Sequence, residues 1–377
     1  MTNILDYLKW RGDLTFTQDP PNAVDGLIFS TLAYIPFGGR IADEPDVPIL
    51  FRDAAEDYFA MEGYEEKARA KNDILLLRAA ADTVRFGYTK LYLYRDLFIP
   101  EQDTQFGAVT FLLDDGTGFL AFRGTDNTLV GWKEDFNMSF QQTVPAQRLA
   151  VQYTRDVAAE YSAPLRLGGH SKGGNLAVFA AARSSPMVQR QILEVYNNDG
   201  PGFTEYLMGD SGYRAMVPRI KTYIPQSSVI GMLLEHEEPY TVIRSKSVGV
   251  LQHDPYSWEV MGSAFLTMQE ITAHSHFVDG TIKNWCARMT NEERGQVVDV
   301  IFDLLSTGDV EHPLDIFHPK NIRTYLKALS SDENLRRMLS AEFQGLLDAM
   351  RKTKAQLEES RETAASEDGK ELPEGKS

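Results

Sequence analysis

The chain has 377 residues, 43% hydrophobic and 24% charged, which is near the globular average and excludes collagen-like, low-complexity and membrane-embedded classes. A formal net charge of -16 argues against nucleic acid as a partner, because phosphate binding draws on clustered Lys and Arg. The single cysteine, Cys286, excludes an intrachain disulfide, the opening MTNILDYLKWRGD lacks a signal-peptide apolar run, and no stretch reaches membrane-spanning length, so a cytoplasmic location is expected.

Residues 1–89 read as a mostly helical lead-in packed on a core, with helix-like apolar spacing at Asn3 to Arg11, Asp25 to Tyr34 and Ala54 to Gly63. From residue 90 the period changes. Leu91 to Arg95, Ala108 to Leu113 and Gly118 to Phe122 are short β-rich runs, the last two separated by the hairpin punctuation Asp114-Asp-Gly-Thr-Gly118. A helix pattern (Gln147 to Tyr161), a strand (Pro164 to Leu167), a second helix (Gly173 to Arg183) and strands at Ile192 to Asn197, Ile220 to Ile224 and Tyr240 to Arg244 follow. Such alternation implies right-handed crossovers and a largely parallel sheet, with the antiparallel meander at its edge. The core is expected to span 90–262. Beyond Gly262 strands stop and 263–359 reads as helices, including a Thr290/Glu293 capping box, a helix after His318-Pro319 and a long run from Glu333. The polar residues 360–377, with Pro and Gly, predict a disordered tail.

Gly169-His-Ser-Lys-Gly173 matches G-x-S-x-G, where small residues flank a serine on a tight strand-to-helix turn. As bare letters the pattern is expected by chance on the order of one time in ten in a chain this long. Its context adds weight: the strand before it and the apolar helix Asn175 to Ala182 after it supply the required strand, turn and helix. Ser171 is therefore the candidate nucleophile. The backbone N–H of Lys172, at the helix start, is a candidate oxyanion donor. Upstream, Thr125 in Ala121-Phe-Arg-Gly-Thr-Asp126 follows an early strand, where a second donor is expected, although Gly-Thr alone is more often a simple turn.

A base usually follows the final strand, and His253 does. Of the others, His170 belongs to the turn, His236 precedes the last strand, and His274, His276, His312 and His318 fall in the helical tail. Asp199, at the carboxyl end of the strand after the turn, is the first choice for the orienting acid, with Glu235 and Asp254 in reserve. Asn-Asp-Gly-Pro around Asp199 is also ordinary turn chemistry. Ser228 to Leu234 is an apolar run that reads either as a flap over an acyl pocket or, more often, as core packing. His274 and His276 have no third obvious metal ligand, and no metal or cofactor is expected.

Phe122-Arg-Gly-Thr125, Trp132-Lys-Glu-Asp135 and Gly169-His-Ser-Lys-Gly-Gly174 together resemble the class 3 (fungal-type) lipase family of α/β-hydrolases. The stretches NDGPGF, PQSS and QHDPYSW are similar to those of a bacterial branch of α/β-hydrolase-like proteins. The resemblance implies that the Thr125 hydroxyl helps form an oxyanion hole, that Asp135 supports it, and that Asp126 to Asn137 corresponds to the lipase lid. Two departures stand out: Lys172 replaces the usual leucine, and Tyr223 to Val229 lacks the aspartate expected after that strand.

The expected architecture is an α/β-hydrolase fold, a mostly parallel central sheet with helices on both faces and a helical C-terminal region. The expected activity is cleavage of a small-molecule ester or lipid by a serine hydrolase. Thioester hydrolysis or acyl transfer by the same nucleophile is one alternative, and a catalytically silent fold serving as a scaffold is another.

Overall fold

A computed structural model describes residues 2–38, 47–125, 129–308 and 318–368. The lead-in carries helices α1 (Ile4–Arg11), α2 (Ala23–Leu32), α3 (Phe51–Phe59), α4 (Tyr64–Lys67), α5 (Lys71–Ala81) and α6 (Val84–Gly87), with the short strand β1 (Ile49–Leu50) among them. Both α1 and α2 begin with capping boxes, Asn3 with Asp6 and Asn22 with Asp25, which satisfy N–H groups that a helix start leaves free. Asp25 has a second task. Its fully buried carboxylate takes Arg85 Nε at 2.8 Å, Arg85 Nη2 at 2.6 Å and the Tyr7 hydroxyl at 2.8 Å, tying α1, α2 and α6 together.

The main sheet runs β1 to β8 in sequence order. Strands β2 (Lys90–Ile99), β3 (Thr104–Leu112) and β4 (Gly118–Phe122) form the antiparallel meander. Strands β5 (Leu165–His170), β6 (Ile192–Asn198), β7 (Ile220–Pro225) and β8 (Tyr240–Ile243) continue from β4 in parallel. Helices α7 (Leu129–Asn137) and α8 (Pro145–Glu160) join β4 to β5, α9 (Lys172–Arg183) and α10 (Pro186–Gln191) join β5 to β6, and α11 (Glu205–Met208) and α12 (Ser211–Met216) join β6 to β7.

This order has a physical consequence. Parallel strands added always on the same side by right-handed crossovers send the connecting helices to one face. Leu120, Phe122, Leu165, Leu167 and Val195 point to that face and pack with α8 and α9. The alternate positions Phe119, Ala121 and Tyr196, with Val109 and Phe111, point to the other, and there the lead-in supplies the cover. Phe29 of α2 lies 4.7 Å from Phe111 and 4.8 Å from Phe119, ring centre to ring centre. The fold is thus an α/β-hydrolase-type sheet with helices on both faces, the second face closed by the lead-in helices that precede β2.

Two details differ from the sequence expectation. Strands do not stop at Gly262: β9 (Val260–Met261) and β10 (Ala264–Phe265) make a small ribbon around it, where Gly262 takes φ 62° as the turn requires. Helix α13 (Ala273–Cys286), α14 (Asn291–Ser306) with its Thr290/Glu293 capping box, and α15 (Pro319–Ser331) lead to α16 (Glu333–Asp368). That last helix continues through Asp368, into the segment expected to be disordered, because helix-breaking Gly369 and Pro373 come only later. Positions 369–377 of the expected tail lie outside the described residues, and so does His312. No helix among the described residues is long and apolar enough to cross a membrane.

The buried Asp25–Arg85 pair generates a test of how the lead-in is held. Asp25→Ala strands a guanidinium in the core and is expected to lower unfolding stability by roughly 3–5 kcal/mol in urea titration, whereas an exposed pair such as Lys9–Asp6 is worth under about 1 kcal/mol.

Candidate active site

Strand β5 runs into Ser171, which takes φ 59° and ψ -134°, and α9 starts at the next residue. Such a turn is sterically possible only because its neighbours lack side chains. A Cβ on Gly169 would lie 2.2 Å from the Gly173 carbonyl oxygen, and one on Gly173 would lie 2.1 Å from that of Phe122. Hydrogen bonds hold the turn: Ser171 N donates to Asn198 O at 3.0 Å, Gly174 N to Ser171 O at 2.9 Å, and Asn198 Nδ2 to Gly169 O at 3.1 Å. From the lead-in, the Tyr34 hydroxyl donates to His170 O at 3.3 Å. The Ser171 side chain stays half-buried, and among the described residues its hydroxyl has no hydrogen-bond partner.

Asp199 directly follows β6 and takes φ 53°, in the left-handed region, with its carboxylate only 1% exposed. It accepts from His253 Nδ1 at 2.6 Å, from the Ser228 hydroxyl and from Gly231 N at 3.2 Å. A neutral His253 protonated on Nδ1 keeps Nε2 free as an acceptor. Within the Ser228 to Leu234 run, read from sequence as flap or core, Ser228 and Gly231 are thereby tied to this aspartate. Asp199 occupies the end of β6, one strand before the segment where the lipase resemblance led us to expect an aspartate. The reserve acids lie elsewhere: Glu235 pairs with Lys283 at 3.2 Å, and Asp254 caps Tyr256 N at 3.1 Å.

His170 takes part in a way its place in the motif did not reveal. Its ring centre lies 4.5 Å from that of His253, and its Nε2 bonds His253 O at 2.8 Å; since a carbonyl only accepts, Nε2 carries the proton. Burial holds this imidazole neutral, its pKa well below the ordinary value, helped by the nearby His253 and Arg69. The loop carrying His253 is fixed further by Trp258 Nε1 donating to Gln252 O at 2.9 Å and by the Tyr256 hydroxyl donating to Asp73 at 2.7 Å.

On the other side of Ser171, Gly124 abuts the turn so closely that a Cβ there would lie 3.2 Å from Ser171 Cβ. The next residue, Thr125, donates its hydroxyl to Asp135 Oδ2. Residues 126–128 of the expected lid lie outside the described residues, and the remainder is α7. This helix carries Asp135 and Glu134, the latter unremarked in the sequence. Glu134 is fully buried and accepts from Lys172 Nζ at 2.7 Å, Gln105 N at 3.1 Å and Ala146 N at 2.9 Å. Lys172 Nζ also lies 3.8 Å from Asp135 Oδ1. The available signal was a lysine at a buried elbow position, which demands a carboxylate nearby. Asp135 Oδ1 is shut off from solvent without a hydrogen bond while 29% of the side chain stays open, and burial pushes its pKa up to about 6 against the opposing pull of Lys172 and Thr125. Helix α14 packs outside α7, through Phe136 and Phe302 rings 5.8 Å apart and Lys133 to Asp299 at 3.0 Å.

The chain belongs to the Mbeg1-like family, which it matches over residues 80–303. No curated protein matches it in sequence. Among solved structures it is similar to the Rhizomucor miehei lipase propeptide complex, at 14% identity and TM-score 0.37, over 61% of this chain and 78% of that one. It is also similar to a mutant form of MDLA from Penicillium cyclopium, at 14% identity and TM-score 0.38, over 64% of this chain and 83% of that one.

The raised Asp135 pKa has a definite sign in stability. The folded state holds this proton more tightly than the unfolded chain, so the group's contribution is fully present below about pH 4 and is lost as pH rises through about 6. Urea titrations from pH 4 to 8 are expected to show wild type losing stability relative to Asp135→Asn across that window; a constant difference would contradict the assignment.

Proposed function

For this member of the Mbeg1-like family we propose hydrolysis of a carboxylic ester through an acyl-serine intermediate. The observation that carries the reading is the 2.6 Å Asp199–His253 hydrogen bond beside a serine on a strained strand-to-helix turn. Neither feature is needed to close the core, whereas together they are what a serine nucleophile requires.

In this reading Asp199 holds the His253 imidazole with Nδ1 protonated, leaving Nε2 to take the Ser171 proton as Oγ attacks the ester carbonyl. The carbonyl oxygen becomes an oxyanion, stabilised by the Lys172 N–H at the start of α9 and by Thr125, which Asp135 supports. Protonated His253 then delivers its proton to the departing alkoxide. A water molecule, deprotonated in turn by His253, attacks the acyl-serine, and His253 returns that proton to Ser171 Oγ as the acid leaves. No metal or cofactor enters these steps. The Ser171 hydroxyl has no hydrogen-bond partner among the described residues, and a catalytic hydrogen bond of this kind often tightens only when substrate arrives. The substrate class is a small-molecule ester or a lipid, and the acidic chain favours substrates without dense negative charge.

Fluorophosphonate labelling tests the reading directly. Wild type is expected to label, Ser171→Ala and His253→Ala to lose labelling while remaining folded by circular dichroism, and Asp199→Asn to turn over ester roughly 10⁴-fold more slowly. A folded wild type that never labels would favour a silent scaffold, and labelling with acyl-CoA turnover in place of ester turnover would favour thioester chemistry.

A further inference from the structure

Lys172 stands where the lipase resemblance has leucine, and its side chain is 1% exposed. Placing an ammonium in a protein interior costs several kcal/mol before its partners compensate, whereas a leucine there would simply pack. Stability alone therefore gives no reason for the charge. Its surroundings do. Glu134 meets it at 2.7 Å and is otherwise saturated by the backbone N–H groups of Gln105 and Ala146. Asp135, one residue on, lies 3.8 Å from the same ammonium and accepts the Thr125 hydroxyl. The contacts thus form a chain from Lys172 through Asp135 to Thr125, and the backbone of Thr125 follows the glycine that abuts Ser171.

We propose that the Lys172 side chain is a positioning residue for the oxyanion site, holding Asp135 so that it anchors the Thr125 loop against the Ser171 turn. This rests on the ester-hydrolase reading above. One residue then serves both halves of the site: its N–H is one oxyanion donor, and its ammonium steadies the support of the other. It also halves a local electrostatic problem, since without it two carboxylates would sit unopposed near the point where negative charge develops.

The groups facing Asp135 fix the expected pH signature. Lys172 comes from α9, Glu134 from α7, Thr125 from the loop after β4, His253 from the loop after β8 and Tyr34 from the turn that follows α2. Lys172 is the largest influence favouring the ionised carboxylate, with His253 acting the same way and Glu134 opposing. An ionised Asp135 makes the stronger, charge-assisted bond to Thr125. Protonating it loosens the anchor.

The experiment compares wild type, Lys172→Met, Lys172→Arg and Asp135→Asn, following both fluorophosphonate labelling rate against pH and the Asp135 carboxyl signal by carbon NMR, assigned by its absence in Asp135→Asn. Lys172→Met is expected to raise the Asp135 titration by about one to three pH units and to move the acid limb of labelling upward with it. Labelling near pH 6.5 should then fall several-fold, with much less loss near pH 9, and Lys172→Arg, which keeps the positive charge, should hold the Asp135 titration closer to its wild-type position than Lys172→Met does. In the Asp135→Asn background, Lys172→Met should leave the pH profile where it is. If Lys172→Met fails to fold, pairing it with Glu134→Gln removes the stranded carboxylate and the same titration is read. An unmoved Asp135 titration, or an unmoved acid limb in an enzyme that labels, overturns the proposal. A wild type that does not label at all overturns instead the hydrolase reading beneath it.

Discussion

The turn at Ser171 is the constraint on which the arrangement of this protein depends. A non-glycine residue in a left-handed conformation carries strain of order 1–3 kcal/mol, and such strain persists only where the surroundings over-determine it. Here they do so from every side. The end of β4 presses on Gly173, β6 accepts the Ser171 N–H, Asn198 binds Gly169 from the neighbouring strand, and Tyr34 reaches the turn from the lead-in. Any of these elements moving away would let the turn relax and withdraw the serine from its half-buried position at the strand end.

The lead-in thus belongs to the site as well as to the core. Sequential strand order with right-handed crossovers leaves one sheet face without connecting helices, and α1, α2, α3 and α5 close it. Arg69 then stacks on the Tyr34 ring at 3.8 Å and pairs with Asp73, which binds Tyr256 three residues beyond His253. Cover for a bare sheet face is the same material that steadies both the turn and the histidine loop.

Buried charge follows a consistent rule. Asp25 with Arg85, Glu134 with Lys172, and Asp199 with His253 each bring opposite or proton-sharing partners together, with remaining oxygens satisfied by hydroxyl or backbone donors. Asp135 departs from it. Its inner oxygen lacks a hydrogen bond, and that imperfection lies at the proposed oxyanion site. A group left under-satisfied beside the reacting atoms is where protonation most readily alters geometry.

The sequence by itself determined what short-range physics governs. The Gly-x-Ser-x-Gly spacing, the strand before it and the helix after it are legible because steric exclusion and apolar period act within a few residues, and the Thr290/Glu293 capping box is legible for the same reason. Only the tertiary structure decided which carboxylate meets His253, since Asp199 follows β6, Glu235 follows β7 and Asp254 adjoins the histidine after β8, and the packed strand ends set which one reaches the ring. It also decided that Lys172 finds Glu134 across 38 residues, that His170 braces His253 across 83, and that the lead-in residues before β2 close the far face of the sheet. Those pairings come from strand order and chain crossing, which no local pattern encodes, because the energy of a buried charge or an uncovered apolar face is set by whatever the whole chain packs against it.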